Sequence, residues 1–118
     1  MAALWDVVFY RDARGRAPVE RFIEGLPSKL QARVLRAINL LAEHGTDLTP
    51  PLAEKVTGER FWELRIRQGT NIVRVFYFAA TRRRMVLLHA FVKKSQRTPR
   101  REIETARARY DEYRSSLT

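Results

Sequence analysis

The chain has 118 residues, no cysteine, 31% charged residues and a formal net charge of +10. That length suits one domain, residues 1–118, with a single apolar core. The absence of cysteine excludes a disulfide framework, a thiolate metal site and a cysteine nucleophile, and no apolar run approaches the roughly 18–20 residues of a membrane helix.

The first segment, "LWDVVFY" (Leu4–Tyr10), is β-branched and aromatic and ends in the polar run Arg11–Arg16, so it predicts a strand. The head "MAALWDVVFYRD" has no basic stretch leading into a long apolar one; no signal peptide is expected, and the default location is the cytoplasm. Pro18 suits the first turn of a short helix, "PVERFIEG", which Gly25 stops. In "LPSKLQARVLRAINLLAEHG", Leu30, Val34, Ile38 and Leu41 line one helix face. Pro27 fits the first turn of that helix, Gly45 its C-terminal cap, and His44 the negative end of its dipole. Pro50 and Pro51 keep "TDLTPPLAEKVTG" out of helix, as a connection.

Three strands follow, at Phe61–Gln68, Asn71–Ala79 and Met85–Val92, with turns at "QGTN" and "ATRRR". A last helix opens near "TPRRE", with Thr98 as N-cap and Pro99 as the first helical residue, and buries Ile103, Ala106, Tyr110 and Tyr113. The order β-α-α-β-β-β-α predicts an α+β fold in which helices pack on one face of a small, mostly antiparallel sheet.

Charge is unevenly spread along this frame. Arg60 to Arg101 holds twelve Lys/Arg and one acid, Glu63, against eleven basic and twelve acidic residues elsewhere. A surface serving only solubility mixes the two signs, so the asymmetry points to a polyanion or an acidic protein partner.

Side chains alternate across a strand, which puts Trp62, Leu64 and Ile66 under the helices and Glu63, Arg65 and Arg67 on the open face. Adjacent strands lie about 5 Å apart, close enough for their arginines to converge. Arg74 shares its parity with Ile72, Phe76 and Phe78 and needs an anion. Two readings stand: an ion pair with Glu63 or with a helix acid such as Glu102, or a phosphate site matched by the planar guanidinium fork. For Arg65 and Arg67 alone, a solvated face is the commoner outcome.

A second basic cluster, Lys93, Lys94 and Arg97, leaves the last strand just before a helix opens. Arg100 and Arg101 in the first turn oppose the helix dipole by a few tenths to about 1 kcal/mol, which a docked anion, or Glu102 and Glu104, would offset. Arg82, Arg83 and Arg84 form a basic turn with only a general attraction for polyanions. His89, mid-strand with Leu87 and Phe91 on its face, reads as a hydrogen-bonded core residue. Two separated histidines make no metal motif, and no glycine-rich phosphate loop or Gly-x-Ser-x-Gly elbow appears; neither metal nor cofactor is expected.

The strings "FWELRIRQGTNIVRVFYFA" and "VLLHAFVKKSQRTPRREIETARARY" together resemble the RelE/ParE toxin superfamily, nearest to the HigB-like, phage-related branch of type II toxin–antitoxin systems. The likeness follows the element order over residues 5–113 and is most specific over 61–106. It implies a RelE-like fold and a metal-independent mRNA endoribonuclease acting in the ribosomal A site, in which a ribose 2′-hydroxyl attacks the adjacent phosphate. By the same resemblance, Arg65 and Arg74 stabilise the phosphate, and Lys93, Lys94 and Arg97 lie in the catalytic basic segment. Arg67, Arg82, Arg83, Arg84, Arg100 and Arg101 would contact RNA, and Glu63 is a candidate general base. A lysine crowded by cations, Lys93 or Lys94, would move protons more readily. No C-terminal tyrosine or histidine of the relatives aligns here; Ile103 and Glu104 occupy that neighbourhood. The implied partners are a helix-turn-helix (HigA-like) antitoxin, mRNA and the 70S ribosome, with no membrane. Two alternatives remain open: a ParE-like DNA gyrase poison, and a non-catalytic nucleic-acid-binding module. The second is disfavoured by the scarcity of aromatics among the basic residues.

Overall fold

Two consecutive strands of this chain are apolar at nearly every position, and they form the middle of the sheet. In the computed structural model, which describes residues 4–93 and 97–116, the elements run β1 (Asp6–Phe9), α1 (Pro18–Glu24), α2 (Ser28–His44), β2 (Ala53–Lys55), β3 (Trp62–Gln68), β4 (Asn71–Ala80), β5 (Arg84–Lys93) and α3 (Arg100–Ser115). A single 3-10 turn, Gly45–Asp47, follows α2. The strands order as β1-β5-β4-β3-β2. β1 runs parallel to β5, and every other pair is antiparallel. This is the expected α+β class, a five-stranded mixed sheet with three helices, consistent with a RelE-like fold.

The helices do not share one face, as the sequence had suggested. Leu30, Val34, Ile38 and Leu41 of α2, with Val19 and Ile23 of α1, pack on Leu64, Val73, Val75 and Leu87. α3 lies on the opposite face, where Ala106, Ile103, Tyr110 and Tyr113 meet Phe61, Phe76, Phe78, Val86 and Leu88. The reason is composition: β4 and β5 carry large apolar side chains on both faces, and each face must be covered. Every such side chain fully buried contributes about 1.5–3 kcal/mol. Aromatic contacts knit the α3 side, with Phe61–Phe76 at 5.1 Å and Phe78–Tyr110 at 4.7 Å between ring centroids.

Four local features depart from expectation. Ala53–Lys55, within the connection, pairs with Trp62–Leu64 as the short edge strand β2. Pro27 and Pro99 stand at the N-cap positions with extended ψ of 147° and 138°, so α2 and α3 start one residue later and Thr98 is not the cap. Trp62 is 38% exposed instead of packed under the helices; it lines a shallow crevice with Leu48, Tyr77 and Met85. Finally, β4 and β5 slip register between Phe76 and Tyr77: Phe76 faces His89 while Tyr77 faces Leu87. The extra residue, Leu88, makes a bulge. Leu87 therefore belongs to the α2 side, while Leu88 and Phe91 belong to the α3 side. Among the described residues, no helix is long and apolar enough to cross a membrane.

Gly45 shows how tightly the end of α2 is fitted. Its N–H bonds the Leu41 carbonyl at φ 53°, and a Cβ there would lie 2.0 Å from Trp5 Nε1. A side chain at that φ costs about 1–2 kcal/mol before any clash. Urea denaturation of Gly45→Ala is expected to show a loss above about 2 kcal/mol. Gly58→Ala, at φ 79° with open space around it, should lose only the conformational part.

Candidate functional site

Strand register assembles the site. On the α3 side of the sheet, Glu54, Glu63, Phe76 and His89 form one row across β2 to β5. The next row is Arg65, Arg74 and Phe91, and the next Arg67, Ile72 and Lys93. α3 covers the Phe76 end of this face, and the charged residues gather toward β3.

Glu63 is the hub. Its Oε1 accepts from Arg65 Nε at 2.5 Å and also from Arg74 Nη1. Arg65 Nη2 donates in turn to Glu54 Oε2 at 2.5 Å. Glu63 is 6% exposed, and Arg74 and Lys93 are 8% exposed each. Of the two readings open for Arg74, the ion pair with Glu63 is the one it makes. Arg65 likewise is neither solvated nor free, but part-buried between two carboxylates.

The electrostatics of the cluster are unbalanced. The hydrogen bond to Glu63 raises the pKa of the Arg65 guanidinium above its ordinary value. Burial lowers that of Arg74, Glu63 works against the shift, and Arg65 and Arg67 add to it. Burial also lowers the pKa of Lys93, and Arg74 and Arg65 push it the same way. Four cations thus surround two carboxylates. Arg74 Nε is fully buried and, among the described residues, has no hydrogen-bond partner. A buried orphan donor costs about 1–3 kcal/mol, and an acceptor entering the site would relieve it.

A second network fixes α3 to the sheet. Arg109 Nη1 donates to the carbonyl of the bulged Leu88 at 2.9 Å and lies 3.1 Å from His89 Nδ1. Because Arg109 only donates, Nδ1 is the acceptor, and Nε2–H points to Glu102 Oε1 at 2.8 Å. Burial lowers the His89 pKa. This is the hydrogen-bonded core histidine anticipated from the sequence, though with Leu87 on the other face. Tyr10 closes the far end: its hydroxyl donates to Glu112 at 2.7 Å, and burial raises its pKa to about 12.

The remaining basic residues scatter. Arg67 is exposed but adjoins the cluster through its register. Arg82, Arg83 and Arg84 sit at the opposite end of the β4–β5 hairpin, where Ala80 pairs Arg84. Some eight residues at about 3.3 Å each, on the order of 25 Å, separate them from Lys93. Arg83 lies over the Trp5 ring at 4.6 Å and donates to the Leu4 carbonyl, while Arg84 bonds Thr81. Arg100 and Arg101 are exposed at the start of α3, with Arg100 Nε 3.9 Å from Glu104. Glu102 does not balance them, since it serves His89. Arg97 is exposed on the segment entering α3, and Lys94 lies outside the described residues.

Sequence reasoning missed Glu54, Arg109 and the α2 arginines Arg33 and Arg36. Only the last pair left a signal, their spacing on one exposed helix face. Among the described residues, no group of three or more His, Asp or Glu side chains could hold a metal ion.

A family model described as phage-derived protein Gp49-like (DUF891) matches residues 21–111, from α1 into α3. No curated protein matches the chain significantly.

Removing one partner of a buried ion pair costs about 3–5 kcal/mol, whereas replacing both with apolar groups is often neutral. Urea denaturation should therefore place Glu63→Gln well below wild type and Glu63→Leu/Arg65→Leu/Arg74→Leu closer to it. His89 gives a pH dependence. The unfolded chain binds its proton near pH 6.5 and the folded chain only at lower pH, so the folded state loses stability as pH falls below about 6.5. Thermal melts between pH 7.5 and 5 should show this decline, reduced in His89→Asn.

Proposed function

We propose that this chain, which belongs to the phage-derived Gp49-like family, is a HigB-like toxin that cleaves messenger RNA. The family is related to RelE- and HigB-type toxins and is associated with toxin–antitoxin systems. The observation that carries the reading is the convergence of Arg65 and Arg74 on one oxygen of Glu63, with Lys93 buried beside them.

In this reading the internal ion pairs are part of the chemistry. Glu63 removes the proton of a ribose 2′-hydroxyl, and the 2′-oxygen attacks the adjacent phosphorus. The bond to the 5′-oxygen breaks, Lys93 gives that oxygen a proton, and a 2′,3′-cyclic phosphate and a 5′-hydroxyl remain. As Glu63 takes up its proton it loses the charge that held Arg65 and Arg74. Negative charge appears at the same moment on the phosphorane oxygens, where the two guanidiniums now bind. Preorganised donors of this kind contribute about 3–4 kcal/mol each to the transition state. Burial lowers the pKa of Lys93, and Arg74 pushes it the same way, which makes it a readier proton donor. Arg67, Arg97, Arg100 and Arg101 extend the positive field along the strand that RNA would follow. Arg82, Arg83 and Arg84 lie too far away to share a site with Lys93 and keep only a general attraction. The partners in this reading are the ribosomal A site with its message and a helix-turn-helix antitoxin, all in the cytoplasm.

The test is inducible expression with primer extension on cellular messages, comparing wild type with Arg65→Ala, a part-buried position that tolerates truncation better than Arg74. Cleavage should fall roughly a hundred- to thousand-fold. Growth arrest with intact messages and stalled replication would replace this reading with that of a gyrase poison. Absence of any arrest would leave a non-catalytic binding module.

A further inference from the structure

The two edges of the sheet differ in charge. At one rim, the end of β3 that β2 leaves bare is bordered by Arg33, Arg36, Arg65 and Arg67. At the other, β1 pairs with β5 and ends the sheet. From Leu4 to Tyr10 that strand holds no Lys, Arg, Pro or Gly, and Asp6 is its only charge. Sheet edges are usually blunted by lysine, proline or a bulge. This one, in a chain of net charge +10, is guarded only by being short.

Asp6 and Tyr10 donate their N–H groups to the carbonyls of Arg83 and Leu87. Backbone groups of alternate residues point to the same side of a strand, so Val7 and Phe9 turn theirs outward. Among the described residues, neither has a backbone partner there. Two of the three large apolar side chains most exposed among the described residues stand beside this edge, Leu4 at 61% and Leu35 at 45%. Leu4 precedes the strand. Leu35 lies seven residues before Ala42, close to two helical turns, and the Ala42 carbonyl accepts the Trp5 N–H at 2.9 Å; both therefore face β1. α2 runs from the Arg67 end of the sheet to the Trp62 end, antiparallel to β1. About 10 Å back along the helix from Ala42 and about 10 Å forward along the strand from Trp5 bring Leu35 level with Val8.

We propose that the outer edge of β1 pairs, antiparallel, with β1 of a second copy of this chain, joining two five-stranded sheets into one. Val8 lies on the two-fold axis. Val7 then faces Phe9 of the second copy, and Phe9 faces its Val7. Both are pairs that exchange two N–H···O bonds, so four main-chain bonds close the seam. The contact is isologous, the same patch on both copies, and Leu35 meets its own counterpart above the axis. Charge decides the occupant. Neither a polyanion nor an acidic segment finds a cation on the strand itself. Two molecules of net charge +10 repel, and this edge brings little charge together, whereas the arginines of the β3 rim repel a second copy. Arg11 and Arg83 flank the two ends of the seam, so salt, which screens like charges, strengthens the pairing. The seam is smaller than the roughly 800 Å² per partner of a standard interface, which makes the dimer a micromolar one. It lies three strand spacings from Glu63, about 14 Å. The inference does not depend on RNA cleavage and stands or falls separately.

Sedimentation equilibrium of the full chain, from micromolar to millimolar concentration, should show a monomer–dimer equilibrium that salt strengthens. Amide exchange followed by NMR should slow severalfold at Val7 and Phe9 as the dimer fills, while Asp6 and Tyr10, already bonded toward β5, change little. Leu35→Glu and Leu35→Lys, at an exposed helix position, should each weaken the dimer about tenfold or more. An equal mixture of the two should recover wild-type affinity, because opposite charges then meet across the axis. A chain that stays monomeric throughout overturns the proposal. So does a dimer that leaves Val7 and Phe9 unprotected, or one that both Leu35 variants form as readily as wild type. If those amides become protected only on adding an RNA oligonucleotide or a glutamate-rich peptide, the edge serves another partner and the proposal fails.

Discussion

One carboxylate oxygen, Glu63 Oε1, holds two guanidiniums that approach from adjacent strands. Burying a guanidinium without a counter-charge costs several kcal/mol, so neither Arg65 nor Arg74 could stand in this β-meander without Glu63. The antiparallel register makes the arrangement possible, because Arg65 lies opposite Arg74, and Glu63 is one strand-repeat away on the same face. A slip of β3 by one residue would turn Glu63 and Arg65 to the α2 side, into the aliphatic core, and leave Arg74 without its counter-charge. The charged cluster and the hydrophobic core therefore fix each other's position.

α3 converts that face from an open sheet into a half-roofed site. Its apolar residues cover the phenylalanines, and Glu102 and Arg109 reach down to the irregular point of the sheet. The bulge at Leu88 leaves a carbonyl that Arg109 satisfies, and it turns His89 toward Glu102. The helix leaves the β3 end of the face uncovered, where the cations outnumber the acids. Core and site thus divide one sheet surface between them.

The same economy appears at the rim. A three-residue β2 shields the start of β3 and leaves its end bare, bordered by four arginines. A natural sheet edge is usually blunted by charge, and charge of one sign repels like edges. The positive field of the molecule is consequently divided among three places: the Glu63 cluster, the β3 rim and the distant hairpin tip. At that tip Arg82 and Arg83 adopt left-handed φ of 61° and 55°, and Arg83 is used to anchor the N-terminal strand.

Much of this was legible from residue order alone. The α+β class, the amphipathic α2, the β3–β5 meander and the shared face of Glu63, Arg65 and Arg67 all follow from periods of 3.6 and 2 and from turn residues, which are local properties of the chain. The covering of both faces, the bulge that separates Leu87 from His89, the pairing of β1 beside β5 and the ion pair chosen by Arg74 were decided by tertiary contacts. So was the fate of the basic stretch, continuous in sequence yet split between opposite ends of a long hairpin. The physical reason is that a strand's periodicity specifies which side chains share a face, while the register with its neighbours and the helix laid across it determine which of them touch.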